Sequence, residues 1–226
     1  MTIQQRYQYV IDHFSQHQPN PASELRYENA FQLLVAVILS AQCTDKRVNS
    51  VAPHLFEQDP TPLHLKNSTV EQIYHIMRSV SYPNSKAKYL QQMAGVLVEE
   101  FDGIVPDSTE KLQQLPGVGR KTANVLTAVI FNQPNMAVDT HVFRVSNRIG
   151  LVINAKNPLQ TEKQLTKYLP KSIIPKAHHW LILHGRYTCL ARKPKCSQCP
   201  IKNACNFYAN MLLNEKNKDK NTVINH

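Results

Sequence analysis

The chain has 226 residues, enough to bury one large core or two small ones. Its longest apolar stretch, near Phe31 to Leu39, is about half of what a bilayer span needs, and MTIQQRYQYV lacks the cationic-then-apolar pattern of an export signal. A soluble, unexported protein without a membrane partner is therefore expected. Charge is lopsided: residues 1 to 110 hold 8 basic and 12 acidic side chains, net −4, whereas residues 111 to 226 hold 18 and 4, net +14. Charge speaks to partners rather than to fold, and this distribution points the second half toward a polyanion.

Apolar residues recur at three- and four-residue spacing almost throughout, and no run alternates long enough for a paired strand, so the expected fold class is all-α. Ala87, Leu90, Ala94, Leu97, Val98 and Phe101 fall on one helical face. Ser68 with Glu71 and Asp107 with Glu110 have the spacing of capping boxes and predict short helices in quick succession. Asp139 is expected to cap a helix beginning at Thr140, and Gly150 to end it. Cys43 reads as a small core residue within an apolar helix. The polar segment 213–226 is expected to be disordered.

Four of the five cysteines crowd near the C-terminus. Cys189, Cys196, Cys199 and Cys205 have six, two and five residues between successive members, so four thiolates within 17 residues can converge on one metal centre. Without an export signal, disulfides are not expected. All-sulfur ligation suits zinc or an iron-sulfur cluster, and ligand type alone does not choose between them. Arg192, Lys193, Lys195 and Lys202 lie in the same loop; they would offset thiolate charge and also present cations to phosphates.

The segment Leu115 to Ala123 reads LPGVGRKTA and opens a helix. Gly117 and Gly119 admit backbone conformations that side chains forbid, and let the amides at the helix start approach a phosphate. Lys121 would sit in the first turn, where an exposed cation is mildly unfavourable. Only a neutral amine attacks carbon, and the positive end of a helix favours that form; a phosphate-binding lysine is the other reading of the same position. Asp139 near such a lysine would accept the amine's proton or stabilise positive charge building at a sugar C1′, and capping is compatible with either role.

LSAQCTD, LPGVGRKTA, AVDTHVFRV, HHWLILHGRYTC and the C-x6-C-x2-C-x5-C loop together resemble the endonuclease III family of helix-hairpin-helix DNA glycosylases, from about residue 20 to residue 208. The resemblance implies two helical domains flanking a DNA cleft. One is a six-helix domain over 22–133 with the helix-hairpin-helix at about 108–131. The other joins 1–21 to 134–212 and carries the loop 189–205. The resemblance further implies a [4Fe-4S] cluster on the four cysteines, Lys121 as nucleophile and Asp139 as catalytic carboxylate. Gln42 would fill the gap left by a flipped nucleotide, and Gly117, Gly119, Arg120, Arg192 and Lys193 would contact DNA. The implied activity is excision of oxidised pyrimidines from double-stranded DNA and cleavage at the abasic site, by a cytoplasmic, nucleoid-associated monomer.

Ser81-Tyr82-Pro83-Asn84 departs from the family's glycine, aliphatic residue and Tyr-Asn, and would place an aromatic Tyr82 opposite the lesion. Two other readings stand beside this one. A sister branch removes mismatched adenine without strand cleavage, but generally lacks the lysine found here at 121. A non-catalytic DNA-binding module would have no need of both Lys121 and Asp139.

Overall fold

The computed structural model describes the backbone of residues 1–223 and the side chains of residues 1–214. Among these residues the chain is helical with no strand, as the apolar spacing requires. It divides into two compact units, Ser23–Gln133 and Met1–Ala22 joined to the chain from Pro134 onward. The opening helix α1 (Ile3–His17) starts with a capping box, in which the Thr2 hydroxyl accepts from the Gln5 N–H and the Gln5 side chain accepts from the Thr2 N–H.

The contiguous unit holds α2 (Ala30–Ser40), α3 (Asp45–Gln58), α4 (Pro62–Asn67), α5 (Val70–Met77), α6 (Pro83–Glu100), the single turn α7 (Thr109–Leu112) and α8 (Arg120–Ile130). Phe31 and every residue from Leu33 to Leu39 are buried. A helix apolar on all sides needs cover on all sides, and α3, α6 and α8 each pack against α2. Truncating one of its leucines to Ala would cost about 2–5 kcal/mol.

On α6 the expected face is buried at Ala87, Leu90, Ala94 and Leu97, with Val98 and Phe101 half-buried. Lys86 joins that face unexpectedly. Its ammonium donates to the Leu39 and Ala41 carbonyls, both at 2.7 Å, and so satisfies C-terminal carbonyls of α2 that no later amide reaches.

Both predicted helix caps are displaced by one residue, and only the first remains a capping box. Thr69, not Ser68, caps α5 and forms its box with Gln72, because the Ser68 hydroxyl is used elsewhere, donating to Asp59 at 2.6 Å. Ser108, not Asp107, caps α7 by accepting from the Lys111 N–H. Cys43 lies in the turn between α2 and α3 rather than within a helix, half-buried against the core.

The discontinuous unit packs α1 with α9 (Thr140–Ile149), α10 (Pro158–Tyr168), α11 (Ile174–Tyr187), two 3-10 turns at Cys196–Gln198 and Lys202–Ala204, and α12 (Asn206–Val223). Phe14 stacks on Trp180 with ring centroids 5.7 Å apart. Tyr7 donates to the Leu151 carbonyl and the Trp180 indole to the Gln18 carbonyl, each at 2.8 Å. Gly150 ends α9 in the left-handed region at φ 87°, as expected of a C-terminal glycine.

The expectation of disorder over 213–226 needs correction, since α12 runs helical to Val223; residues 224–226 lie outside the described residues. The segment has neither Gly nor Pro, and its Leu, Lys and Glu are good helix formers. Weighing only its polarity missed that propensity.

Candidate nucleic-acid interface and iron-sulfur loop

Hairpin 113–119 turns on Gly117, whose φ of 80° disfavours any side chain. A Cβ there would also sit 3.0 Å from Tyr89 Cβ, so the hairpin is pressed onto α6 at this point. Gly119 is different. Its backbone is extended at φ −91° and ψ 177°, which any residue adopts, and open space surrounds the missing side chain. The sequence expectation of a special conformation therefore holds at Gly117 and fails at Gly119. What Gly119 provides is an α8 N-terminus with no side-chain cap bond, and the N-terminal end of a helix suits an anion. Arg120 and Lys121 are exposed on that first turn.

Two further turns of the same unit carry candidate residues. Gln42 follows α2 at φ 54° and Tyr82 heads α6 at φ 55°, each a non-glycine residue in a conformation costing about 1–2 kcal/mol. The Ser81 hydroxyl donates to the Gln42 carbonyl at 2.6 Å. Tyr82 is 63% exposed and makes no capping bond for α6.

Asp139 belongs to the other unit. Its Oδ1 accepts from the Val142 N–H at 2.7 Å, the N-cap of α9, and its Oδ2 lies 2.9 Å from His141 Nδ1. With only 14% of the side chain accessible, the carboxylate is fixed at both oxygens. The preceding segment Met136–Val138 is buried, and His178 Nδ1 of α11 lies 2.9 Å from the Ala137 carbonyl. Gly185 lets α11 lie close to α9, since a Cβ there would meet His141 Cβ at 2.9 Å.

Cys189, Cys196, Cys199 and Cys205 line one small pocket with Ile149, His184 and Ile201. Burial pushes the Cys199 thiol up to about 11, and repulsion from the other three thiolates adds to this. Burial and neighbouring thiolates also raise Cys196 and Cys205. Four thiolates coexist there only with a cationic centre between them, which is the donor chemistry of a metal site. The donor set is all sulfur, four thiolates lining one pocket, and this donor chemistry fits an iron-sulfur cluster.

The loop is anchored by α9. Arg144 donates from Nε to the Cys189 carbonyl at 3.2 Å and from Nη2 to the Gly185 carbonyl at 2.9 Å. Arg148 donates to the Leu190 and Ala191 carbonyls at 2.6 and 2.9 Å, with Nη1 3.6 Å from Cys189 Sγ. Buried His184 puts Nε2 3.6 Å from Cys199 Sγ, and desolvation holds its imidazole down at about 4, hence neutral. Arg192, Lys193 and Lys195 are exposed, whereas Lys202 bends back to the Ser197 carbonyl at 2.9 Å. Sequence reasoning missed Lys86, Arg144, Arg148, His178 and His184. For the histidines the signal was present in HHWLILHGRYTC, where three His in one apolar helix demanded partners.

Residues 35–171 match the family described as HhH-GPD superfamily base excision DNA repair protein, and residues 189–205 match the iron-sulfur binding domain of endonuclease III. Endonuclease III of Rickettsia conorii is 46% identical over 202 residues, covering 89% of this chain and 96% of the relative. That of Escherichia coli K12 is 41% identical over 198 residues, covering 88% and 93%. A solved structure of a trapped endonuclease III–DNA covalent intermediate, an estranged-adenine complex, superposes with a TM-score of 0.88 at 40% identity, covering 94% of this chain and all of that one. No helix among the described residues is long and apolar enough to cross a membrane.

Proposed function

The chain belongs to the endonuclease III family of base excision DNA repair proteins, and we propose that it excises oxidised or ring-saturated pyrimidines from duplex DNA with Lys121 as nucleophile. The observation that carries this reading is the place of Lys121: exposed on the first turn of α8, directly behind a glycine hairpin whose N-cap makes no side-chain bond. The amides and Arg120 hold a backbone phosphate, which sets the lysine at a fixed distance from one sugar.

A damaged base cannot be reached in the stack, so the nucleotide is flipped out. The neutral Lys121 amine attacks C1′ as the N-glycosidic bond breaks and the base departs with the bonding pair. Asp139, a carboxylate held by α9 and His141, stabilises the positive charge building at C1′ and takes the proton that the amine sheds. The sugar ring opens to a protonated Schiff base between Lys121 and C1′. Loss of a C2′ proton then moves electrons toward the imine, and the 3′ phosphate leaves by β-elimination. One lysine gives both excision and strand cleavage.

Gln42 fills the space the flipped nucleotide vacates, Tyr82 stacks in the DNA opposite the lesion, and Arg192 and Lys193 contact phosphates. Cys189, Cys196, Cys199 and Cys205 would hold the [4Fe-4S] cluster, whose irons would tie the four thiolates together and so fix their loop. The chain acts as a monomer in the cytoplasm, at the nucleoid. Borohydride trapping on oligonucleotides bearing oxidised pyrimidines tests the assignment. The unaltered protein should form a covalent complex and Lys121→Gln none, while binding to a non-cleavable abasic analogue changes little. A normal covalent complex from Lys121→Gln would move the nucleophile to another amine.

A further inference from the structure

We propose that Ser81 and Lys86 are positioning residues that lock the Gln42 turn and the Tyr82 turn into one preorganised two-pronged wedge. This rests on the reading above, in which Gln42 and Tyr82 enter the DNA. The two residues are far apart in sequence, yet both are exposed and both sit in the left-handed region, at φ 54° and 55°. Neither is glycine, and an isolated exposed turn would relax toward a commoner conformation. Such conformations persist only where surrounding structure over-determines them.

The over-determination is visible as a set of braces on either side of Gln42. Its own carbonyl accepts from the Ser81 hydroxyl at 2.6 Å. The carbonyls of Leu39 and Ala41, just before it, accept from the Lys86 ammonium at 2.7 Å each. That ammonium is buried at the C-terminal end of α2, where the helix field favours a cation. Lys86 is also tied to the second prong, since its N–H bonds the Tyr82 carbonyl at 3.1 Å and Ser81 is Tyr82's neighbour. Tyr89, one turn further along the same stripe of α6, presses on Gly117 of the hairpin. One helix face thus registers three segments that meet DNA.

Prongs ordered before encounter lose little further freedom on insertion, which lowers the cost of holding a flipped state. If Lys86 and Ser81 merely stabilised the fold, every activity would fall together. If they position the wedge, only steps needing the vacated gap filled should suffer.

The test compares Ser81→Ala, Ser81→Thr and Lys86→Met with the unaltered protein, each assayed well below its own melting temperature. Three readouts are taken: single-turnover excision from a lesion-bearing duplex, fluorescence of 2-aminopurine placed opposite an abasic analogue, and borohydride trapping on a single-stranded abasic oligonucleotide. Ser81→Ala should slow duplex excision about tenfold, the scale of a modest misplacement, and lose the 2-aminopurine response. Single-strand trapping should stay unchanged, and Ser81→Thr, which keeps the hydroxyl, should restore the duplex values. Equal loss on duplex and single strand, or no loss in both Ser81→Ala and Lys86→Met, overturns the proposal. Absence of trapping by the unaltered protein would instead sink the enzymatic reading itself, and with it the wedge.

Discussion

Replacing Asp139 separates what a helix cap does from what a catalytic carboxylate does. Asp139→Ala removes the 2.7 Å bond to the Val142 N–H and the 2.9 Å contact with His141. Loss of an N-cap costs about 0.5–2 kcal/mol. For a chain of this size each kcal/mol lowers Tm by about 2–4 °C, so a fall of about 1–8 °C follows. Asp139→Asn keeps an oxygen able to accept from Val142, because Asn and Asp cap about equally well. Its loss is then the charge at the α9 N-terminus, about 0.3–1 kcal/mol, with the Oδ2 acceptor facing His141, and Tm falls less than in Asp139→Ala. Base excision behaves differently. Asn carries no negative charge and takes no proton, so single-turnover excision should fall about 100-fold or more in both variants. Cleavage at a preformed abasic site, whose aldehyde needs no cationic step at C1′, should fall less than excision does. The assays are calorimetry with single-turnover excision and abasic-site cleavage on matched duplexes. Excision within a few-fold of normal in Asp139→Asn, or activity tracking Tm across the two variants, would refute the catalytic role and leave Asp139 a cap.

The purified protein should be yellow-brown with broad absorbance near about 400 nm from iron-thiolate charge transfer, and iron analysis returning zinc alone would overturn the cluster. Cys199→Ser should weaken DNA binding more than it alters chemistry on a bound abasic site, as measured by affinity against single-turnover cleavage. Arg120, Arg192, Lys193 and Lys195 are exposed cations; if about four phosphates are neutralised, log affinity against log salt should have a slope of about −3.6. Removing Arg192 and Lys193 together should bring it to about −1.8, whereas an unchanged slope would place the contacts on the hairpin amides.

Features set by one or two residues were legible in the sequence, and features set by partners distant along the chain were not. The α9 limits followed from Asp139 and Gly150, each acting within one turn. The expected caps at Ser68 and Asp107 slipped because an adjacent residue can cap as well: Asp59 engages the Ser68 hydroxyl and leaves the cap to Thr69, and Ser108 takes the cap beside Asp107. Gly117 and Gly119 look alike in LPGVG, yet one needs its positive φ and the other only its bareness. Lys86 was invisible because a lysine is seldom buried without a partner, and its partners are the carbonyls of Leu39 and Ala41. The order of the five motifs made the four cysteines readable as an iron-sulfur loop, and the residue-matched iron-sulfur domain over 189–205 agrees. Arg144 and Arg148, which fasten that loop, lie some 40 positions earlier and carry no local mark.

The split of one unit across both ends of the chain has a consequence for its birth. Arg6 finishes its bonds only when Gly150 and Ala204 exist, at separations of 144 and 198 residues. At about 5–20 residues per second on the ribosome, α1 waits roughly 10–40 s for its partners. Alone, 15 residues make a marginal helix in water, with Tyr7, Val10 and Phe14 uncovered. The contiguous stretch 23–133 completes its own core meanwhile. During synthesis the apolar face of α1 therefore stays uncovered after residues 23–133 have all emerged, until its distant partners follow.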